Sequence, residues 1–428
     1  MDERSPWRGF LTAIAVLAGL LGFASGSPAL VGFAFGWALI LAVAVFASRL
    51  GLVGLVARRG IGSNAFEGDL LTVDLVLENH GRRAARFVVA IDAFGAGLAD
   101  RQSVLEPGPL PSLHRRVLSY RAFVARQWGL YTVGPLSLMA WDPLGLACAT
   151  QEIPRLDPFE VFPRTFEIEA LSARAGRATF APRDSTAAAA GQSLLFRGVR
   201  DFEAGDDVRR IHWPATARRG SPMVREYERD QQPAFVVFLD LDRRGRAGIG
   251  RQSTLEYLVR IGASLLWTAH RRDDVLALVA EGEKEVLVPP GQGEAHLAAA
   301  MHELVRVRQT GTTSLLETVD RHTEWLPQGT TAVLLLANPD IELAHLDQTI
   351  QELRAFSVWP LVVAVDTLAF PPVDRPPTPI EVVRERRQAL AKCLVDLDVG
   401  AALVGPEESP EDALQRPEFL ARPPEVPR

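Results

Sequence analysis

Two long apolar runs open the chain. Residues 10–26 and 29–47 contain no charged side chain, and each approaches the ~20 residues that a helix needs to cross a bilayer. They predict two spanning helices joined by a tight turn at Ser25, Gly26, Ser27 and Pro28. From 58 to 163 the period shortens to two: Leu71, Val73, Leu75 and Leu77 alternate with Thr72, Asp74 and Val76, and residues 87–91, 117–124 and 131–138 form similar runs. Asn79-His80-Gly81 predicts a turn between the first two runs, and Pro107-Gly108-Pro109, Gly134-Pro135 and Asp142-Pro143 punctuate the rest. This is the pattern of a small antiparallel β-sandwich.

Residues 164–192 change character and end in the low-complexity run Thr186-Ala187-Ala188-Ala189-Ala190-Gly191, which predicts a linker. A dense charged segment, 193–233, follows. From 234 to 405 strand and helix patterns alternate. Phe235-Val236-Val237-Phe238-Leu239 is a continuous apolar run suited to a strand buried on both faces, and Leu255, Leu258, Val259 and Leu266 recur at helical spacing after it. Strands at 275–279, 285–288, 332–336, 360–365 and 401–404, with helices at 294–306, 343–356 and 382–393, predict an α/β domain with a mostly parallel sheet. The tail, 406–428, is rich in Pro and Glu and reads as disordered. The fold class is therefore multidomain: two transmembrane helices within 1–57, a β-sandwich, then α/β.

Charge sets the orientation. Arg4 and Arg8 precede the first apolar run, and Arg49, Arg58 and Arg59 follow the second. The excess of Arg at both ends places them on the inner side of a cytoplasmic membrane, with the large remainder cytoplasmic. A cleaved signal peptide ending near Phe23-Ala24-Ser25-Gly26, followed by one spanning helix, is the alternative and reverses the topology. A net charge of -6 and only two lysines, Lys284 and Lys392, argue against a nucleic-acid partner. Cys148 and Cys393 are far apart and suggest neither a disulfide framework nor a zinc site.

The most specific signal lies between Arg197 and Asp230, where eight arginines meet seven carboxylates. Arg200, Asp206, Asp207, Arg209, Arg210, Trp213, Arg225 and Glu226 stand out. Arginine forks pair bidentately with carboxylates and can hold a non-repetitive segment in one shape, or grip a partner's acidic surface. Asp206 or Asp207 is suited to cap a following helical turn. Trp213 is read as a core anchor and His212 as a structural histidine, since no Ser or Cys nucleophile stands at a recognisable elbow.

This segment resembles a bacterial family named only as domain of unknown function 58. So does Gln127-Trp128-Gly129-Leu130-Tyr131 with Gly134-Pro135-Leu136 and Asp142-Pro143-Leu144-Gly145-Leu146, and the likeness runs from the apolar helices to about Asp366. The resemblance implies a membrane protein whose C-terminal part is similar to a von Willebrand factor A domain. It implies a MoxR-type AAA+ ATPase as partner, sometimes with a transglutaminase-like membrane protein, and no enzymatic activity.

An A domain of that kind that binds Mg displays Asp-x-Ser-x-Ser after its first strand, a Thr loop, and an Asp after its fourth strand. Here Asp240 matches, but Asp242 and Arg244 stand at the two Ser positions. Thr313 suits the Thr loop, and Asn338 replaces the last Asp. Asp240, Asp242 and Thr313 are thus doubtful metal ligands, because the nearby arginines compete with a cation. The expectation is no cofactor, with Arg244 meeting a partner's carboxylate in place of a metal. Three functions compete: a membrane-anchored, non-catalytic adaptor; a metal-dependent hydrolase using Asp240, Asp242 and His212; and a purely structural envelope protein.

Overall fold

The computed structural model describes residues 6–94, 103–123, 127–168, 194–201, 212–229, 234–373 and 376–415. The chain divides into two compact units, Met1–Arg164 and Thr165–Arg428.

The first unit opens with helices α1 (Pro6–Ser25) and α2 (Pro28–Leu52). The second is long and apolar enough to cross a membrane, with a mean hydropathy of 2.5. Small residues let the two helices approach closely: a Cβ at Gly22 would fall 2.8 Å from Leu30 Cβ, and one at Gly19 would fall 3.1 Å from Ala34 Cβ.

Nine strands follow among the described residues of this unit: β1 (Leu55–Gly60), β2 (Asn64–Phe66), β3 (Leu70–Asn79), β4 (Val88–Phe94), β5 (Ser103–Leu105), β6 (Arg115–Phe123), β7 (Gly129–Trp141), β8 (Cys148–Ile153) and β9 (Asp157–Phe162). One sheet runs β1-β3-β6 and the other β2-β9-β7-β4-β5, with β8 also on β7. In β3 the alternation is strict: Leu71, Val73, Leu75, Leu77 and Asn79 are buried, while Leu70, Thr72 and Asp74 are exposed. Leu75 and Leu77 pack with Val88, Ala90, Leu136, Leu138 and Ala140 of the facing sheet.

Two expectations change here. Asn79-His80-Gly81 does not join neighbouring strands, because β3 and β4 lie in different sheets; the inward side chains of each need a partner layer more than each other's edge. The strands are also not all antiparallel, since β2 pairs with β9 in parallel.

The second unit begins with residues that were expected to be linker. Phe166 and Ile168 donate their backbone N–H groups to Ser264 Oγ and Thr268 Oγ1, and Ile168 is fully buried. Strands β10 (Leu194–Asp201) and β11 (Met223–Arg229) form an antiparallel ribbon with helix α3 (Trp213–Arg219) in the connection between them. Beyond them come β12 (Ala234–Leu239), the two-residue strands β13 (Gly248–Ile249) and β14 (Gln252–Ser253), α4 (Thr254–Arg271), β15 (Val275–Glu281) and β16 (Glu285–Gly291). Then follow α5 (Glu294–Arg306), α6 (Leu315–His322), β17 (Thr331–Leu336), α7 (Leu343–Ala355), β18 (Trp359–Val365), α8 (Ile380–Asp396), β19 (Gly400–Val404) and α9 (Pro410–Leu414).

The main sheet has the order β16-β15-β12-β17-β18-β19 and is parallel except for the edge strand β16. Both faces are covered, which is why its strands read as unbroken apolar runs. Val236 and Phe238 pack with α6 and α7 through Leu316, Leu346 and Ile350. On the opposite face, a Cβ at Gly262 of α4 would touch Leu335 and Leu304. The edge strand β16 carries Pro289 and Pro290, and its pairing with β15 slips by a residue between Leu276 and Leu278. The tail is ordered further than its composition predicts: Ala413 and Leu414 of α9 are buried, and Gln415 Nε2 donates to Glu167 O at 2.7 Å.

Candidate functional site

In an open parallel sheet, ligands collect outside the carboxyl ends of the strands where the strand order reverses. Here that point lies between β12 and β17, since the chain proceeds from β12 towards β15 and β16, then returns to β17, β18 and β19. Asp240 follows β12, and Ala337 and Asn338 follow β17, so the topology itself brings these residues together.

Asp240 is fully buried. Its Oδ2 accepts N–H bonds from Ala337 at 2.9 Å and Asn338 at 2.8 Å, and its Oδ1 accepts one from Asp242 at 3.0 Å. Burial nonetheless pushes its carboxyl up, outweighing those three bonds. Asp242 caps the turn that follows by accepting from Arg244 N at 2.9 Å. Its Oδ2 accepts from Arg244 Nε at 2.9 Å, Arg244 Nη2 at 2.6 Å and Asn338 Nδ2 at 3.1 Å. The hydrogen bond to Asp242 raises the Arg244 pKa. The Arg244 side chain keeps 48% of its surface exposed.

This donor set does not fit a magnesium ion. Near-octahedral coordination needs oxygen lone pairs from several loops, and here both carboxylates already accept from N–H donors, one of them a guanidinium. Thr313 is not part of the cluster: its hydroxyl donates to Glu281 Oε1 at 2.9 Å. Glu281 also accepts from Thr318 Oγ1 at 3.1 Å and from Arg321. Burial raises the Glu281 pKa, but the bonds from Thr313, Arg321 and Thr318 outweigh it and hold the carboxyl below its ordinary value. Arg244, expected to meet a partner's carboxylate, forks onto Asp242 while staying half exposed, because a fully buried carboxylate two residues away is the nearest strong acceptor.

The charged segment is only partly described. Asp206, Asp207, Arg209 and Arg210 lie outside the described residues. Arg200, Arg225 and Glu226 sit on the β10–β11 ribbon, with Arg200 opposite Val224, Val199 opposite Arg225 and Gly198 opposite Glu226. Helix α3 is capped by His212, whose Nδ1 accepts from Ala215 N at 3.1 Å, which gives this histidine a structural role. Trp213 is not a core anchor: it is 68% exposed. It is the first residue of a short helix and is followed by Pro214, while its neighbour His212 is joined to the ribbon through Met223 O.

Sequence reasoning missed a cleft of about 270 Å³ beside the cluster, at the ends of β17 and β18. Asn338, Asp340, Asp366, Arg386 and Arg387 line it over an apolar floor. Arg386 Nη1 donates to Asp340 Oδ1 at 2.8 Å and to Pro339 O at 2.7 Å, and Arg387 lies 3.7 Å from Asp366. The position of Asp366 directly after an apolar strand was the available signal.

No curated protein matches the chain significantly. Among solved structures it is similar to the CARDB domain of a Pyrococcus furiosus protein, at 11% identity and a TM-score of 0.18, over 26% of this chain and 94% of that one. It is also similar to proximal thread matrix protein 1 from the mussel byssus, at 12% identity and a TM-score of 0.24, over 32% and 38%. A β-glucosidase from Listeria innocua matches at 8% identity and a TM-score of 0.18, over 25% and 16%. Residues 198–358, which hold most of the β10–β11 ribbon, the Asp240–Asp242–Arg244 cluster and most of the parallel sheet, match the family described as "Protein of unknown function DUF58".

Proposed function

We propose that this protein is a membrane-anchored, non-catalytic adaptor that presents the carboxyl edge of its parallel sheet to a protein partner. In this reading α1 and α2 form a spanning hairpin, both units face the cytoplasm, and the second unit is a von Willebrand factor A-like domain. The strand order and the single antiparallel edge strand support that fold reading. A MoxR-type AAA+ ATPase is the expected partner in protein-complex assembly or envelope maintenance.

The observation that carries the adaptor reading is the Asp242–Arg244–Asn338 knot. At the position where such a fold gathers reactive or metal-binding groups, this chain satisfies its carboxylates internally and leaves a half-exposed arginine at the rim. A surface of fixed, paired charges suits recognition, since it offers direction and register without a poised nucleophile.

The test is affinity purification of the detergent-solubilised protein from its own host, followed by mass spectrometry. Wild type is compared with Arg244→Glu and with magnesium chelated. Recovery of an AAA+ ATPase that disappears with Arg244→Glu and ignores chelation is the expected result. Retention in the variant with loss on chelation points instead to a metal-dependent face, and no ATPase in any sample removes the partner from the proposal.

A further inference from the structure

We infer that the β-rich first unit has a second membrane contact, a rim of loops at the exit of α2 that binds anionic lipid headgroups. The inference rests on the anchoring reading of α2 and adds to it the lipid class and the residues that meet it.

The chain itself fixes the position of this rim. Residues 28–47 of α2 carry no charge, and Arg49 is the first charged residue after them, exposed on the helix. Leu52 then enters the core of the sandwich with Leu55, Leu138 and Ala140. At 1.5 Å per residue, Gly54 therefore lies roughly 8 Å beyond the level of Arg49. Gly54 O accepts from His80 N at 2.7 Å. The approach is so close that a Cβ on Gly54 would fall 2.5 Å from Gly81 N, and one on Gly81 would fall 2.7 Å from Val53 O. The loop 80–87 is thus clamped to the point where the helix leaves the bilayer.

A second loop is locked to the first. Buried Asn79 donates through Nδ2 to Arg83 O at 2.8 Å, Leu110 O at 3.0 Å and Pro111 O at 3.1 Å, and accepts from Gly81 N at 2.9 Å. A third loop, 142–145, stands at the same end, because Trp141 N donates to Phe87 O at 3.0 Å and Ala140 lies against Gly51 of α2.

What these loops display matches a headgroup layer. Arg82, Arg83 and Arg86 are exposed on the first loop. Val53, Phe87, Leu113 and Leu144 are between 55% and 81% exposed on the same rim. Phe87 and Leu113 are held at φ 55° and 62°, a conformation that bulky residues rarely adopt. Both stay more than half exposed in the folded unit, so the fold leaves two large apolar side chains facing outward at the height of the interface. Glu78, bound by His80 Nε2 at 3.1 Å, is the acid nearest this loop in sequence. Apolar side chains that enter the acyl boundary beside arginines that meet anionic headgroups are the two parts of an interfacial contact.

The test uses the full chain with Cys148→Ser and Cys393→Ser. Single fluorophores are attached at Leu113→Cys, at Val43→Cys in α2, or at Leu70→Cys, at the far end of β3 and roughly 30 Å from Asn79. Each protein is reconstituted in vesicles of equal parts phosphatidylcholine and phosphatidylglycerol doped with nitroxide lipid. The expected result is strong quenching at Val43 and several-fold more quenching at Leu113 than at Leu70. The Leu113 excess is lost in pure phosphatidylcholine and in the Arg82→Glu, Arg83→Glu, Arg86→Glu variant. Quenching at Val43 with none above the Leu70 level at Leu113 overturns the inference and leaves the anchor standing. No quenching at Val43 overturns both. An excess at Leu113 that ignores lipid charge and the charge reversal overturns the lipid class.

Discussion

Each unit holds an arginine against a buried aspartate, and the two pairs are built differently. In the β unit, Arg59 of β1 crosses to the facing sheet, where it binds Asp92 and donates to Asp157 Oδ2 at 2.8 Å and Val133 O at 3.1 Å. Tyr120 adds a hydroxyl to Asp92, and Arg59 and Asp92 are sealed from water. Burial alone would lower the Arg59 pKa, but the two carboxylates outweigh it and raise the value. In the α/β unit the aspartate is equally buried, yet its arginine comes from two residues away and half of it lies in water. The first pair ties two sheets together and has no access to a ligand. The second ties a loop to itself and shows its outer side. A buried carboxylate alone therefore does not mark a site; the exposure and sequence separation of its partner decide which role it takes.

Asp92→Ala tests the sealed pair and has the largest expected effect. It leaves the buried Arg59 guanidinium with Asp157 as its one remaining carboxylate and Tyr120 without its acceptor, and breaking such a buried pair costs about 3–5 kcal/mol. Hydrogen exchange on the full chain in detergent should show β1 and β4 losing protection by roughly a hundredfold or more, with β12 and β17 unchanged. Asp242→Ala comes next. It leaves Asn338 Nδ2 and Arg244 N without their acceptor, at a cost of about 1–3 kcal/mol, seen as faster exchange in the loops after β12 and β17. Arg244→Ala is smaller still, about 1 kcal/mol or less, because the arm it removes is half solvated. If Arg244→Ala destabilises as much as Asp92→Ala, the contrast between the two pairs collapses.

The smallest effect concerns Glu281, and it appears only in acid. A carboxyl held below its ordinary value contributes stability that is complete above the unfolded value of about 4.3. That contribution is lost as pH falls through the lower folded value. Thermal unfolding of wild type should therefore weaken below that point more steeply than that of Glu281→Gln. Parallel profiles would remove Glu281 from the acid sensitivity of this unit.

Much of the fold was legible because its periods were clean. The alternation of Leu71, Val73, Leu75 and Leu77, and the unbroken run from Phe235 to Leu239, each report how many faces of a strand are covered. Helix α6 was not legible: eight residues with polar Glu317, Asp320 and Arg321 make too short a window for its period to emerge. Which sheet β4 joins was hidden too, since sequence spacing says nothing of a partner layer. At the site, the identities of Asp240, Asp242 and Asn338 could be read, whereas the direction of Arg244 could not. A side chain with four rotatable bonds follows its nearest acceptor, and that acceptor is fixed only once β17 lies beside β12.

The two prolines of the edge strand β16 bear on how many copies of this protein can meet. Successive residues of a strand turn their N–H groups to opposite sides, so Pro289 and Pro290 remove one donor from the inner ladder and one from the outer edge. The inner loss coincides with the slipped register against β15. The outer loss leaves a gap in the row that a neighbouring chain would need to extend the sheet. Two copies that meet along this edge therefore lack the unbroken row of donors that zipping together would need.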